Sequence, residues 1–209
     1  MTPKQTGKAY DKITECWNDD VFPMDNGIDQ LNRALQFLSY NDWDAEGSVS
    51  RKALDVGCGH TGRFMKHLAE QGYDVEGVDV SAEMIRLAQE KHPQFRFYHQ
   101  DICQWQLPCQ YDFISAWDSI WHVPLAQQAS SITKLVGALN PGGVFIFSFG
   151  ALDEEGEHSN CVMGPEVYYS SLGVNGFLET VMAAGGVVRH LEYDQYPENH
   201  GYMVVQKGG

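Results

Sequence analysis

Apolar positions fall into two spacings along this chain. Ile28, Leu31, Leu35 and Leu38 lie 3, 4 and 3 apart. They form one helix face, entered after Asn26-Gly27. From Lys52 short apolar runs alternate with amphipathic stretches. The pattern predicts a strand over 52–57, a helix over about 61–71 ended by Gly72, and a strand from Asp74 to Asp79. A helix follows from Ser81 through Met84, Leu87 and Ala88, and Pro93 breaks it. A third strand runs from Phe95 to His99 and a fourth from Tyr111 to Trp117. Pro124 starts a helix carrying Ala129, Ile132, Leu135 and Leu139, and Asn140-Pro141-Gly142-Gly143 stops it. The fifth strand is Val144 to Phe147. A helix over about 174–184 closes at Gly185-Gly186. Strands over about 187–194 and 201–206 lie too close together for a parallel crossover, so they pair antiparallel.

This βαβα rhythm predicts an α/β fold with a mostly parallel sheet covered on both faces. Three stretches stand outside the rhythm. Residues 1–25 read as irregular, with Tyr10, Trp17 and Phe22 among acids. Residues 41–50 read as a polar loop. Residues 151–170 are polar and end in Tyr168-Tyr169.

Composition narrows the classes. The chain has 209 residues, 43% of them hydrophobic, which suits one globular domain with a small lid. No apolar run reaches about 18 residues, and the first residues are polar, so neither a membrane span nor a signal peptide is expected. Net charge is −14 with no basic stripe, which disfavours nucleic acid and anionic membranes as partners. Five cysteines without C-x-x-C point to a reduced, cytoplasmic setting. The eight histidines lack zinc spacing, so no metal is expected.

The strongest chemical signal is K-A-L-D-V-G-C-G-H-T-G, Lys52 to Gly62. A buried strand meets Gly57, Gly59 and Gly62, and a helix starts at once. A turn without side chains lets a ligand approach the backbone, and a helix N-terminus offers unpaired N–H donors. G-x-G-x-x-G followed by Asp79, 20 residues after Gly59, also suits NAD. Three features lead away from NAD: Asp55 inside the first strand, Asp101 after the third, and an antiparallel tail in place of a second nucleotide-binding half. The Tyr-x-x-x-Lys pair of short-chain dehydrogenases is absent as well.

L-D-V-G-C-G-x-x-G, G-V-D-x-S-x-x-M-I, Q-D-I, Y-D-F-I and L-N-P-G-G follow one another over residues 52–150. In that order they resemble a class I S-adenosylmethionine-dependent methyltransferase. The resemblance implies a Rossmann-like, seven-stranded, mostly parallel sheet of order 3-2-1-4-5-7-6, strand 7 antiparallel. It also implies S-adenosyl-L-methionine as cofactor, S-adenosyl-L-homocysteine as product and a small-molecule acceptor. One domain would span 1–209. Residues 1–45 would form a helical cap, 52–150 the cofactor core, 151–170 a lid-like insertion, and 171–209 a helix and hairpin.

Residue by residue, the resemblance implies that Gly57, Gly59 and Gly62 shape the cofactor turn. Cys58 lies in that turn as a small filler. A branched side chain at Gly57 would fill ligand space. Asp55 would orient the ligand's amino group. Asp79 would accept from both ribose hydroxyls. Val80 and Met84 would flank the adenine, although Met84 serves helix packing equally well. Asp101 would accept from the adenine amino group, and the Ile102 N–H would serve a ring nitrogen. Trp117 would lie beside the amino acid end.

Methyl transfer needs positioning, and a base only where the acceptor must lose a proton. His122 and Asp118, after the fourth strand, are the candidates, His122 because imidazole titrates near neutrality. Packing under the Pro124 helix is the competing reading of His122. Tyr10, Trp17, His158, Tyr168 and Tyr169 are candidates for the substrate pocket, and lid packing explains them as well. A non-catalytic S-adenosylmethionine-binding sensor, or an NAD-linked oxidoreductase, are the alternative functions.

Overall fold

The computed structural model describes residues 1–38 and 51–208. The expected loop over 41–50 lies outside the described residues, as do 39–45 of the expected cap. The strands are β1 (Arg51–Val56), β2 (Tyr73–Asp79), β3 (Arg96–His99), β4 (Tyr111–Ala116), β5 (Leu139–Gly150), β6 (Gly156–Asn160), β7 (Val167–Ser171), β8 (Gly186–Glu192) and β9 (His200–Lys207). The helices are α1 (Pro3–Tyr10), α2 (Ile28–Leu35), α3 (Arg63–Glu70), α4 (Ala82–Lys91), α5 (Leu125–Gly137) and α6 (Gly173–Ala183).

One sheet has the order β3-β2-β1-β4-β5-β9-β8. The strands from β3 to β5 pair in parallel, and β9 runs antiparallel between β5 and β8. This is the order that the resemblance implied, with β8 and β9 as its sixth and seventh strands. Successive side chains take opposite faces of a strand, so continuous apolar runs serve two cores. Ile114, Phe145 and Phe147 pack with Ile132, Leu135, Phe177 and Val181 on one face. Phe113, Val144 and Ile146 pack with Leu31, Phe64, Met65 and Leu68 on the other. The chain leaves β1 and β4 in opposite lateral directions, and a crevice opens at such a reversal beyond the strand ends. Among the described residues no helix is long and apolar enough to cross a membrane.

One expectation is corrected and one gains detail. Residues 1–25 are not irregular throughout, because α1 occupies Pro3–Tyr10 and a 3₁₀ turn occupies Thr14–Trp17. The helix begins with a capping box: the Thr2 N–H donates to Gln5 Oε1 at 2.8 Å and the Gln5 N–H to Thr2 Oγ1 at 3.4 Å. Pro3 stands where its missing N–H costs nothing. The helix lies close against the core. A Cβ on Gly7 would come within 2.4 Å of the Val80 carbonyl oxygen. Residues 151–170 contain most of a hairpin, in which β6 and β7 pair antiparallel apart from the main sheet.

Asp11, just past α1, ties the N-terminal segment to α4. Its Oδ1 accepts from Ser81 Oγ at 2.6 Å and from the Glu83 N–H at 3.0 Å. Asp11→Ala removes both bonds and a negative charge at the N-terminus of α4. It is expected to lower unfolding free energy by about 1–3 kcal/mol. Urea denaturation measures this.

Candidate active site

The turn after β1 is held from one side by the Val78 carbonyl, which accepts from the N–H groups of Gly57 (2.8 Å) and Cys58 (3.1 Å). Gly57, Gly59 and Gly62 all have positive φ, at 73°, 54° and 66°. Their surroundings differ. A Cβ on Gly59 would meet nothing within 4 Å, so this residue faces open space. A Cβ on Gly57 would lie 2.3 Å from the Ser119 Cβ, and one on Gly62 would lie 2.5 Å from the His92 ring. The expectation for Gly57 therefore changes: a side chain there collides first with Ser119. Gly62 admits His92 beneath the start of α3 and does not line either cavity described next.

A cavity of about 100 Å³ opens over β2 and the ends of β3 and β4, and Thr6, Val80, Gln100, Asp101, Ile102 and Ser119 line it. A second, of about 300 Å³, is lined by Trp17, Asp55, Cys58, Gly59, Met84 and Trp117. The two share Tyr10, Gly57, Asp79, Asp118 and His122 and form one crevice. Asp79 stands at this shared wall. Its Oδ2 accepts from the Gly59 N–H at 3.0 Å and its Oδ1 from the Ser81 N–H at 2.8 Å. Each oxygen keeps a lone pair for a further donor. Burial raises the Asp79 pKa against these bonds. Asp55 accepts from Ser115 Oγ at 2.7 Å, and burial, opposed by that bond, raises it from 3.8 to about 6. Burial also raises the Cys58 thiol well above its ordinary value, as suits a small filler.

The segment after β4 is bound from several distant elements. The Trp117 indole donates to Asn26 Oδ1 at 3.3 Å. Asp118 has φ of 53°, uncommon for a residue with a side chain. Its N–H donates to Ser148 Oγ at 2.7 Å, and its Oδ2 accepts from Asn26 Nδ2 at 3.2 Å. His122 departs from the expectation. Its Nδ1 lies 2.8 Å from the Tyr168 carbonyl, which can only accept, so Nδ1 carries the proton. Its Nε2 accepts from the Trp121 indole at 2.9 Å and faces the Tyr10 hydroxyl at 2.6 Å. The ring is neutral, its lone pair is engaged, and burial lowers it to about 4. A base that weak, with no free lone pair, is poorly suited to take an acceptor's proton. This arrangement instead orients the Tyr10 phenol.

The expected pocket residues divide. Tyr10, Trp17 and Tyr169 line the 300 Å³ cavity. The Tyr10 and Trp17 rings lie 5.2 Å apart, and Tyr169 lies 5.0 Å from His122. His158 stacks on Tyr169 at 5.1 Å and lines a neighbouring cavity. Tyr168 points the other way: its hydroxyl donates to Glu157 and accepts from the Leu125 N–H at 3.1 Å, at the start of α5. Alternation along β7 sends adjacent tyrosines to opposite faces.

Other residues of the site carried no local signal. Arg63 lies between the rings of Phe22 (4.9 Å) and Phe64 (5.0 Å), and donates to the Asn26 carbonyl at 3.0 Å. Burial lowers its pKa. His200 lies 5.6 Å from both Trp117 and Trp121, ring to ring. Its Nδ1 is 2.5 Å from Asp194 Oδ1 and its Nε2 is 3.3 Å from Asp118 Oδ1. No family motif contains Asn26, Asp194 or His200; only Arg63, directly after Gly62, stood next to one.

The crevice fits an adenosyl ligand on its own features. It joins two cavities at Asp79, the Gly59 backbone borders open space, and the Asp79 carboxylate has a spare lone pair on each oxygen for a vicinal diol. A family model described as "Methyltransferase domain" matches residues 53–143. Ubiquinone biosynthesis O-methyltransferase of Histophilus somni is 30% identical over 161 residues, 71% of this chain and 63% of that protein. Trans-aconitate 2-methyltransferase of Rhodopseudomonas palustris is 36% identical over 96 residues, 45% of this chain and 36% of that protein. The chain thus spans less than two thirds of either relative. The structure of N-methyltransferase NodS from Bradyrhizobium japonicum, in complex with S-adenosyl-L-homocysteine, aligns over 100% of both chains with a TM-score of 0.64 at 16% identity, which shows the shared fold. The matched domain covers the same strand ends that carry Asp55, the glycine turn, Asp79 and Asp101, and in sequence over that span and in fold this chain is similar to the class I S-adenosylmethionine-dependent methyltransferases.

Proposed function

We propose that this protein transfers a methyl group to a small-molecule acceptor by in-line displacement. The observation that carries the reading is the crevice, in which the Asp79 carboxylate and the bare Gly59 turn adjoin a larger aromatic-lined cavity. The names of the two curated relatives, both small-molecule methyltransferases, support the choice of acceptor class.

When bound, S-adenosylmethionine supplies a methyl group made electrophilic by its sulfonium. The chain's own residues position it. Asp79 accepts from the ribose hydroxyls. Val80 flanks the adenine, and Asp101 and the Ile102 N–H meet its polar edge, while Met84, expected beside Val80, lines the larger cavity instead. Gly57 and Gly59 bring backbone to the amino acid end, where Asp55 and Trp117 hold the ammonium side. Tyr10, held by His122, and Trp17 close the crevice from the N-terminal segment. Their rings exclude water and present π-faces to a cation, an effect of about 0.5–2 kcal/mol each.

Asp55 makes this reading sensitive to pH. Its carboxyl is neutral below about pH 6 in the unliganded protein. Affinity for S-adenosylhomocysteine, whose ammonium needs that charge, is expected to level off above about pH 6 and to fall up to tenfold per unit below it. Stability moves the opposite way. The folded pKa is raised, so this group's contribution is full below its ordinary value and is lost as pH rises through about 6. Calorimetric titration from about pH 5 to 8 measures the affinity.

A screen of alcohols, phenols, amines and carboxylic acids with methyl-labelled S-adenosylmethionine tests the function itself. Labelled product with release of S-adenosylhomocysteine is expected. Tight binding of S-adenosylmethionine with no transfer to any acceptor would favour a non-catalytic sensor. NAD binding in its place would point to an oxidoreductase.

A further inference from the structure

We propose that His200 takes the proton of the acceptor, and that the acceptor is a protic small molecule, an alcohol, phenol or amine, entering between the β6–β7 hairpin and the loop before β9. The inference rests on the methyl-transfer reading above and deepens it. A cavity of about 280 Å³ lies at that place, lined by Gly150, His158, Ser171 and Asn199 among others. It shares Trp121, Tyr169, Glu198 and His200 with the 300 Å³ cavity of the crevice. A molecule passing from one space to the other passes His200.

The imidazole is built as an oriented base. Asp194 Oδ1, 2.5 Å from Nδ1, accepts its proton, and Asp194 Oδ2 accepts from Gln30 Nε2 at 2.9 Å. The Asp194 side chain is 4% exposed, so this carboxylate is fixed behind the ring. A carboxylate at one ring nitrogen sets the tautomer and leaves the other nitrogen to exchange protons. That nitrogen, Nε2, faces the junction of the cavities. Its contact with Asp118 Oδ1, at 3.3 Å, is long enough for an acceptor O–H or N–H to take its place. Asp118 is a weaker candidate, since Asn26, Ser148 and His200 already occupy its oxygens.

Charge explains how the base is made ready. Asp194 faces His200 from the loop before β9 and Asp118 from the end of β4. Glu198 shares both cavities, and Arg63 lines the far side from α3. Burial opposes the imidazolium, but the two bonded carboxylates outweigh it and hold His200 above its ordinary pKa. A positive sulfonium in the crevice opposes that charge and favours the neutral base. In the transfer the acceptor's oxygen or nitrogen forms the new bond to the methyl carbon. The carbon–sulfur pair stays on sulfur, and the acceptor's proton goes to Nε2. The sulfonium charge disappears as the imidazolium charge appears. Glu198 and Asp118 at the junction repel an anionic acceptor, which would need no base.

Histidine-labelled protein followed by NMR tests this without an acceptor. His200→Gln identifies the His200 signal by its loss. The signal is titrated in protein saturated with S-adenosylmethionine and in protein saturated with S-adenosylhomocysteine, which lacks the sulfonium charge. The His200 pKa is expected to be lower in the first complex by about half a unit or more. Asp194→Asn is expected to lower it in both. Equal values in the two complexes of the unaltered protein overturn the proposal, because His200 then does not face the reacting centre. Calorimetry run beforehand separates the other failure: if neither ligand binds, the cofactor reading falls, and this inference with it.

Discussion

Asp79→Ala is expected to weaken S-adenosylhomocysteine binding by about 100-fold while leaving the protein folded. The carboxylate sits at the wall shared by the two cavities of the crevice and accepts one backbone N–H on each oxygen. On the proposed reading the remaining lone pairs would meet a vicinal diol, one hydroxyl each. A hydrogen bond to a charged acceptor is worth about 1.5–3 kcal/mol, and the two bonds do not add fully, which gives this magnitude. Stability should change little. Burial already raises the Asp79 pKa, so the native state bears a cost for that charge which alanine removes. The loss of an acceptor for Gly59 and Ser81 offsets that gain. Calorimetry gives the affinity and circular dichroism the fold. Unchanged affinity in a folded variant would put the ribose elsewhere.

Gly57→Ala is expected to act on the fold before it acts on the ligand. Its Cβ would stand 2.3 Å from the Ser119 Cβ, and its φ of 73° disfavours any side chain. Left-handed backbone costs about 1–2 kcal/mol and overpacking about 1–3 kcal/mol. For a chain of this size a loss of that order lowers the melting temperature by on the order of 10 °C. Ser119→Gly removes the atom in the way, although it also removes the hydroxyl that donates to the Val56 carbonyl at 2.9 Å. The double variant should therefore be more stable than additivity allows, with a coupling of about 1–2 kcal/mol. Additive losses would show that the turn relaxes away from Ser119. Gly59→Ala is the contrast: no neighbour lies within 4 Å, so only backbone strain opposes it.

Much of this was legible in the sequence because the signals are local. Short apolar runs bounded by turn residues mark each strand of the main sheet, and a 3.6-residue spacing of apolar positions marks helices between them. The residues assigned to the cofactor lie at strand ends in chain order, from Asp55 through Asp79 to Asp101, so the motifs carried them. Even α1 has a local signal in Thr2-Pro3-x-Gln5, but a weak one, because the helix is short and buries Thr6, Gly7 and Ala9 rather than a large apolar stripe.

The acceptor side depended on tertiary structure. Tyr10 and His122 are 112 residues apart, and only packing of α1 against the strand ends brings them within 2.6 Å. Burial together with the adjacent Trp121 indole and the Tyr168 carbonyl makes His122 a neutral acceptor, and neither the burial nor the carbonyl 46 residues away follows from its neighbours in sequence. The pairing of Gly150 with His200 extends β5 and sets His200 beside Asp118, 82 residues away in the chain. Sequence by itself determined the sheet, the turn and the carboxylates proposed to meet the cofactor, since backbone geometry and side-chain chemistry repeat wherever the same residues recur. Tertiary structure decided which histidine is a held, neutral ring and which stands between two carboxylates that raise its proton affinity, because that affinity depends on burial and on charges that reach the site from distant parts of the chain.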